Sequence, residues 1–176
     1  IIIKNDKAKG VIFKGINKDE KKSIEFLSKN LTSGNIRAFN ENQVFLGTEL
    51  AYNLSLKEGD KISLMSSTFV ATPLGSLPKQ ESFSVAGTFT TGFLEFDQNI
   101  IFLAIEDALS IFDKEEKDQN VEIYLKDPLK ANLVKKKIEK INQNYFIYTW
   151  SDLNKSFFSA LKVERNVMFI ILTLIV

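Results

Sequence analysis

Thr72-Pro-Leu-Gly-Ser-Leu-Pro-Lys-Gln80 lies between two stretches of strand pattern and constrains the fold more than any other segment. It holds two of the chain's three prolines, with Gly75 between them. On its C-terminal side, Phe83, Val85, Gly87, Phe89 and Thr91 alternate with Ser82, Ser84, Ala86, Thr88 and Thr90, which predicts one strand with a single apolar face. On its N-terminal side, Lys61-Ile-Ser-Leu-Met-Ser-Ser67 also reads as a strand. Proline fixes φ and carries no N–H, so neither Pro73 nor Pro78 is expected inside a central ladder. Thr72 and Leu77, each preceding a proline, are pushed towards extended geometry. The expectation is a stiffened loop over residues 72–80 that leaves a hairpin and carries Leu74 and Leu77 into solvent. A loop already stiff loses less entropy on docking, which suits partner binding. The same residues also suit an ordinary hairpin loop folded back on its own sheet, and both readings stay open at this level.

Composition removes several chemistries. The chain of 176 residues has no Cys and no His, which excludes thiol catalysis, disulfides, Cys/His zinc sites and imidazole bases. A net charge of +1 gives no bulk field for nucleic acid or an anionic membrane surface, so no nucleic-acid partner is expected. No phosphate-binding glycine loop and no nucleophile elbow occur, and no cofactor is expected. Three carboxylate pairs, Glu95/Asp97, Glu106/Asp107 and Glu115/Glu116, are the minimum for acid–base work. The first pair is read as sharing a strand face, and nothing orients any of the pairs, so structural or solvent roles are expected. The chain opens Ile1-Ile-Ile and closes in Val167-Met-Phe-Ile-Ile-Leu-Thr-Leu-Ile-Val176, and we read it as a fragment. That run is too short to cross a bilayer, which needs roughly 20 residues, and is expected to be the first half of a transmembrane helix. A buried C-terminal core helix is the other reading.

In chain order, Ile1–Lys4 and Val11–Ile16 read as a hairpin across the polar segment from Asn5 to Gly10. Asn17 and Asp19 are helix-start residues before a helix over Lys21–Ser28. Val44-Phe-Leu46 is a short strand ending at Gly47, and Thr48 caps a short helix through Leu54. Asn99–Ala104 is an unbroken apolar run, expected as a strand buried on both faces. Glu106 and Asp107 open a helix to Phe112. Lys114–Asn120 is a solvated linker and a subdomain boundary. Val121, Ile123 and Leu125 alternate as a strand, Asp127-Pro128 starts a helix, and Tyr145–Tyr148 reads as the next strand. Lys130, Lys135, Lys136, Lys137 and Lys140 give that helix a solvated face, with a phosphate patch as the other reading. Ser151 is expected to cap a last helix running unbroken from Asp152 to the end, amphipathic until Asn166 and uniformly apolar after it.

The order Gly47-Thr-Glu-Leu-Ala, Leu56-Lys-Glu-Gly-Asp-Lys, Thr72-Pro-Leu-Gly-Ser-Leu-Pro-Lys-Gln80, Phe83-Ser-Val-Ala-Gly-Thr-Phe89, Ile105-Glu-Asp-Ala, Asp127-Pro-Leu-Lys-Ala, Thr149-Trp150 and the segment from Phe158 to Val176 resembles the LolC/LolE permeases. These are the membrane subunits of the bacterial lipoprotein-releasing ABC transporter, within the MacB/FtsX-like permease superfamily. The resemblance implies an α+β periplasmic domain of the inner membrane, with a strand-helix-strand Porter subdomain (residues 1–16 with 118–150). A β-rich Sabre insertion (17–117) interrupts it, and residues 151–176 lead into a transmembrane helix.

The resemblance also implies roles for particular residues. The proline loop matches the LolC-type hook that recruits the periplasmic chaperone LolA, through Thr72, Pro73, Leu74, Gly75, Ser76, Leu77 and Pro78. Lys79 and Gln80 match a polar pad at its base, where Glu81 stands in place of the family's Arg. Met168 and Phe169 are implied as lipid or lipoprotein contacts. The implied partners are a LolA-like chaperone, LolD-like ATPase subunits, a LolE-like or identical second permease, outer-membrane lipoproteins as substrate, and membrane lipid. The chain itself is not expected to be an enzyme. A MacB- or FtsX-like permease of another branch, serving efflux or control of a cell-wall hydrolase, is the alternative.

Overall fold

The computed structural model describes residues 1–17, 20–73, 75–142 and 144–175. Asp19, expected to start the first helix, and Leu74, expected as a solvent-facing residue of the hook, lie outside the described residues. The chain divides into two compact units, Ile1–Gln119 and Asn120–Val176.

Among the described residues, unit one is built on one sheet of eight strands. These are β1 (Ile2–Lys4), β2 (Lys7–Lys9), β3 (Ile12–Ile16), β4 (Leu31–Gly34), β5 (Gln43–Gly47), β6 (Lys61–Thr72), β7 (Gly75–Phe89) and β8 (Ile100–Ala104). They lie in the order β2-β1-β6-β7-β5-β8-β3, with β4 added against β7. The β5–β7 and β3–β8 pairs are parallel, and the other pairs are antiparallel.

The expected hairpin of Ile1–Lys4 with Val11–Ile16 is corrected. β1 pairs instead with β2 across a tight turn in which Asn5 takes φ 50°, so Lys4 faces Lys7. Asn tolerates that left-handed backbone, and the short turn closes before residue 11 is reached. β3 then lies at the far edge of the sheet, parallel to β8. Residues 1–16 thus pair with β6 and β8, strands of the segment 17–117.

Unit one also holds helices α1 (Lys21–Asn30), α2 (Thr48–Leu54), α3 (Leu94–Asn99) and α4 (Ile105–Phe112), with short 3-10 turns at Ile36–Ala38 and Glu116–Asp118. Two apolar clusters form, one on each face of the sheet. The first joins Leu50, Ala51 and Leu54 of α2 and Ile111 of α4 to Ile2, Val44, Leu46, Ile62, Leu64, Phe83, Val85, Ile101 and Leu103. The second is aromatic: Leu27 of α1 meets Phe39, Phe45, Phe89 and Phe102, with Phe96 of α3 against them. Ring centroids there stand 5.1 Å apart for Phe39–Phe45 and for Phe89–Phe102, tilted or edge-on as ring quadrupoles prefer.

β8 is buried on both faces, as its unbroken apolar run predicts, and gives Ile101 and Leu103 to one cluster and Phe102 and Ala104 to the other. β7 departs from the expected single face. Val85 stands opposite Val44 but Gly87 opposite Phe45, so an extra residue bulges out at Ala86. One extra residue reverses the side-chain alternation, and so Phe83 and Val85 serve the first cluster while Phe89 serves the second. Glu95 and Asp97 are not on a strand but on α3.

In unit two, α5 (Ala131–Ile141) follows a single helical turn at Pro128–Lys130, where Asp127 Oδ1 accepts from the Leu129 N–H at 3.1 Å. That start agrees with the Asp-Pro signal. The strands expected over 121–125 and 145–148 are absent. A strand exists only through its ladder, and no neighbouring strand pairs with either segment among the described residues. Val121, Phe146 and Tyr148 are exposed accordingly.

The last helix is also corrected. Thr149, not Ser151, is the cap of α6 (Trp150–Leu153): its hydroxyl accepts from the Asp152 N–H at 3.3 Å, and Asp152 Oδ2 accepts from the Thr149 N–H at 3.0 Å. This reciprocal box closes a single turn, and α7 (Lys155–Ile175) begins after Asn154. Trp150 donates to the Pro128 carbonyl at 3.0 Å and packs edge-on against Phe158.

Asp152 also receives the Lys135 ammonium at 2.8 Å. That bond, with the Thr149 N–H and hydroxyl, holds its carboxyl down at about 2. A folded value below the unfolded one contributes stability at neutral pH and loses it as pH falls from the ordinary 3.8 to about 2. The pair is solvent-exposed, so the contribution is small and screened by salt. The carboxyl resonance of Asp152 is expected to titrate near pH 2 in NMR, and Lys135→Met is expected to move its midpoint back towards the ordinary value.

Candidate functional site

The feature that leaves the sheet is the distal part of the β6–β7 hairpin. Phe69 faces Pro78, Val70 faces Leu77, Ala71 faces Ser76 and Thr72 faces Gly75. The segment 72–80 is therefore not a long loop. The chain reverses between Thr72 and Gly75, and residues 75–80 already belong to β7. Thr72 Oγ1 donates to the Gly75 carbonyl at 2.6 Å, and Gly75 takes φ 119°, a backbone that favours glycine.

Pro78 sits in the ladder after all. Among the described residues no other strand pairs with the distal arm, so each of its two strands keeps an open edge, where a residue without N–H is tolerated. Pro78 is expected outside a central ladder, and the arm is not one.

Alternation places Val70, Thr72, Gly75 and Leu77 on one face of the arm and Phe69, Ala71, Ser76 and Pro78 on the other. Phe69 is 65% exposed, Val70 46% and Leu77 53%, so apolar surface is presented on both faces. Phe69 and Val70 were not singled out by the sequence. They precede the proline segment and read as the tail of a strand; their signal was a strand pattern that continues towards the prolines past the point where a core could receive it.

The arm meets the sheet at an irregular joint. Met65 pairs with Gln80 and Phe69 with Pro78, so Ser66, Ser67 and Thr68 on β6 stand against Lys79 alone on β7. Ser66 is buried and its hydroxyl accepts from the Thr68 N–H at 3.1 Å. The C-terminal turn of α4 lies against this joint. Lys79 Nζ donates to the Ser110 carbonyl at 2.6 Å and pairs with Glu81 at 3.2 Å. Ser110 Oγ donates to the same Glu81 oxygen at 3.1 Å, and Thr68 Oγ1 donates to the Phe112 carbonyl at 3.1 Å. Of the two expected pad residues, Gln80 is exposed, while Lys79 is turned inward onto α4 and Glu81. Glu81, standing where the resemblance expects Arg, is thus the acceptor that holds Lys79.

One carboxylate of each pair has a structural occupation. Asp97 is buried and accepts from the Thr91 N–H and hydroxyl and from the Gly92 N–H. Asp107 accepts from the Asn42 N–H at 2.8 Å, and burial pushes its carboxyl above the ordinary value. Glu115 forms a reciprocal cap with Asp118.

Met168 and Phe169 lie on α7, 52% and 71% exposed. Among the described residues no helix is long and apolar enough to cross a membrane.

No family model matches the chain. Curated relatives do. The chain is 26% identical over 178 residues to the lipoprotein-releasing system transmembrane protein LolC of Xylella fastidiosa, covering 99% of this chain and 43% of that protein. It is 27% identical over 172 residues to the LolC of Neisseria meningitidis serogroup B, covering 96% of this chain and 41% of that protein. It is 30% identical over 162 residues to the LolC of Buchnera aphidicola subsp. Schizaphis graminum, covering 84% and 39%. The chain thus spans about two-fifths of the length of the curated relatives it matches.

Proposed function

From a chain that is LolC-like along nearly its whole length, we propose a periplasmic part of an inner-membrane ABC permease that releases lipoproteins. Its β6–β7 arm docks a LolA-like chaperone. The observation that carries this reading is the arm itself: a two-stranded ribbon beyond the core, stiffened by Pro73 and Pro78, with Phe69, Val70 and Leu77 exposed near its end. Apolar side chains on a rigid support are what a docking finger requires, because few rotamers and no backbone remain to be ordered.

In this proposal Thr72 to Pro78 form the hook, and the exposed Gln80 belongs to the pad. α7 leads towards the membrane, where Met168 and Phe169 meet lipid or the lipoprotein. ATP hydrolysis belongs to a LolD-like subunit, and a LolE-like or identical permease completes the assembly. The Porter and Sabre division is part of the proposal; the pairing of residues 1–16 with β6 and β8 favours counting them with the Sabre. The reading as an efflux or cell-wall-hydrolase permease draws no specific support from the relatives reported above.

The test is a binding titration between purified LolA and the full-length protein that carries this chain. Val70→Ser with Leu77→Ser is expected to weaken binding roughly tenfold or more, as loss of two exposed anchors does. Both residues lie outside the core, so amide exchange in β5 and β8 is expected to stay unchanged. Equal affinity for the variant and the native protein would remove the docking role of the arm.

A further inference from the structure

The arm's direction is a separate matter from its tip. A ribbon of two strands that has just lost register is free to twist and bend at that point, because the extra residues leave the ladder. The joint of Ser66, Ser67 and Thr68 against Lys79 is such a point. Proximal to it, β6 is flanked by β1 and β7 by β5; distal to it, among the described residues, the two strands pair with each other alone.

The last carbonyls of an α-helix have no partner within the helix and carry its negative end. At the end of α4, two of its last carbonyls are used by the two strands of the joint: Ser110 O, which also accepts from the Asp113 N–H of the helix cap, by the Lys79 ammonium, and Phe112 O by the Thr68 hydroxyl. The tethers come from opposite strands, so together they resist both bending and twisting of the ribbon. Glu81 and the Ser110 hydroxyl close the set around the ammonium.

We propose that Lys79 and Thr68 are positioning residues that brace the joint on α4 and thereby fix the direction in which the arm is presented. Lys79 acts on docking through the arm and not by touching the partner. The consequence for docking rests on the function proposed above; the brace does not. Fixing the arm in advance removes an ordering cost from the encounter, so its loss weakens docking without altering any contact at the tip.

The test measures the arm first. These 176 residues hold no Cys, so in the full-length protein that carries them, with any cysteine elsewhere replaced by Ser, nitroxides are placed through Ser76→Cys on the arm and Tyr52→Cys on α2. Their distance distribution, by pulsed electron spin resonance, is expected to be narrow in the otherwise native chain. In Lys79→Met with Thr68→Val it is expected to shift or to broaden about twofold. Lys79→Arg, which keeps a cationic donor for Ser110 O and Glu81, is expected to retain the narrow distribution. Protection of β5 and β8 amides shows that each variant is folded. Unchanged distributions in the double variant overturn the brace.

The second measurement is LolA affinity, expected to fall roughly tenfold in the double variant and to be retained in Lys79→Arg. A mobile arm with undiminished affinity overturns the positioning role. If the native protein does not bind LolA, the proposed function fails while the distance measurement still decides the brace.

Discussion

Gly47→Ala is expected to unfold most of unit one or to cost it about 3 kcal/mol or more, among the larger effects of adding a single methyl group. Gly47 ends β5 and stands before α2 in ordinary extended backbone, φ −61° and ψ 141°, so conformational freedom is not the issue. Space is. A Cβ there would stand 1.9 Å from the carbonyl oxygen of Asp97 and 2.5 Å from its carbon. Both are backbone atoms of α3, which no side-chain rotation can move aside. Relief requires α3 to lift from the end of β5, and with it Phe96 from the aromatic cluster. Against a total stability of about 5–15 kcal/mol, that displacement is a large fraction. Gly10→Ala is the control: nothing lies within 4 Å of its Cβ, and stability is expected to be unchanged. Urea unfolding with amide exchange in β5 and β8 measures both; equal midpoints for Gly47→Ala and the native chain would refute the close approach.

Asp97→Ala is expected to cost about 2–4 kcal/mol from the same joint. The carboxylate is 3% exposed and accepts from the Thr91 N–H at 2.9 Å, the Thr91 hydroxyl at 2.7 Å and the Gly92 N–H at 3.2 Å. Alanine removes three hydrogen bonds to a charged acceptor, each stronger than a neutral one, from a turn in which Thr91 is half-buried and Gly92 exposed. Asp97→Asn keeps one acceptor oxygen but turns an amide N–H towards other N–H groups, so it is expected to lose stability in the same direction by less. The local signature is faster exchange at the Thr91 and Gly92 amides. If those amides stay protected in Asp97→Ala, the carboxylate does not hold the turn.

Several elements were legible because their signals are local. Asp127-Pro128 starts a helix wherever it lies, since the capping oxygen and the fixed φ need no distant partner. The apolar run in Ile100–Ala104 reads as a strand covered on both sides because no polar residue interrupts it. The order of residues shared with the LolC/LolE permeases, and the similarity to curated LolC proteins, are properties of the chain in one dimension. What could not be read locally depended on neighbours. β1 takes β2 and not β3, because turn closure at Asn5 competes with a longer excursion whose outcome lies at the other edge of the sheet. The Ala86 bulge splits an apparently uniform strand between two clusters, since only the β5 register reveals the extra residue.

At the candidate site, the sequence by itself determined that two prolines and a glycine lie between two strand patterns; whether Leu77 faces solvent stayed open until the structure placed it 53% exposed. Backbone stereochemistry is carried by each residue. Only the tertiary structure decided that Pro78 belongs to a strand, that Phe69 and Val70 share the exposed end, and that Lys79 turns inward. Those outcomes depend on which edges the arm leaves open and on where the end of α4 places its last carbonyls, and neither can be read from spacing along the chain.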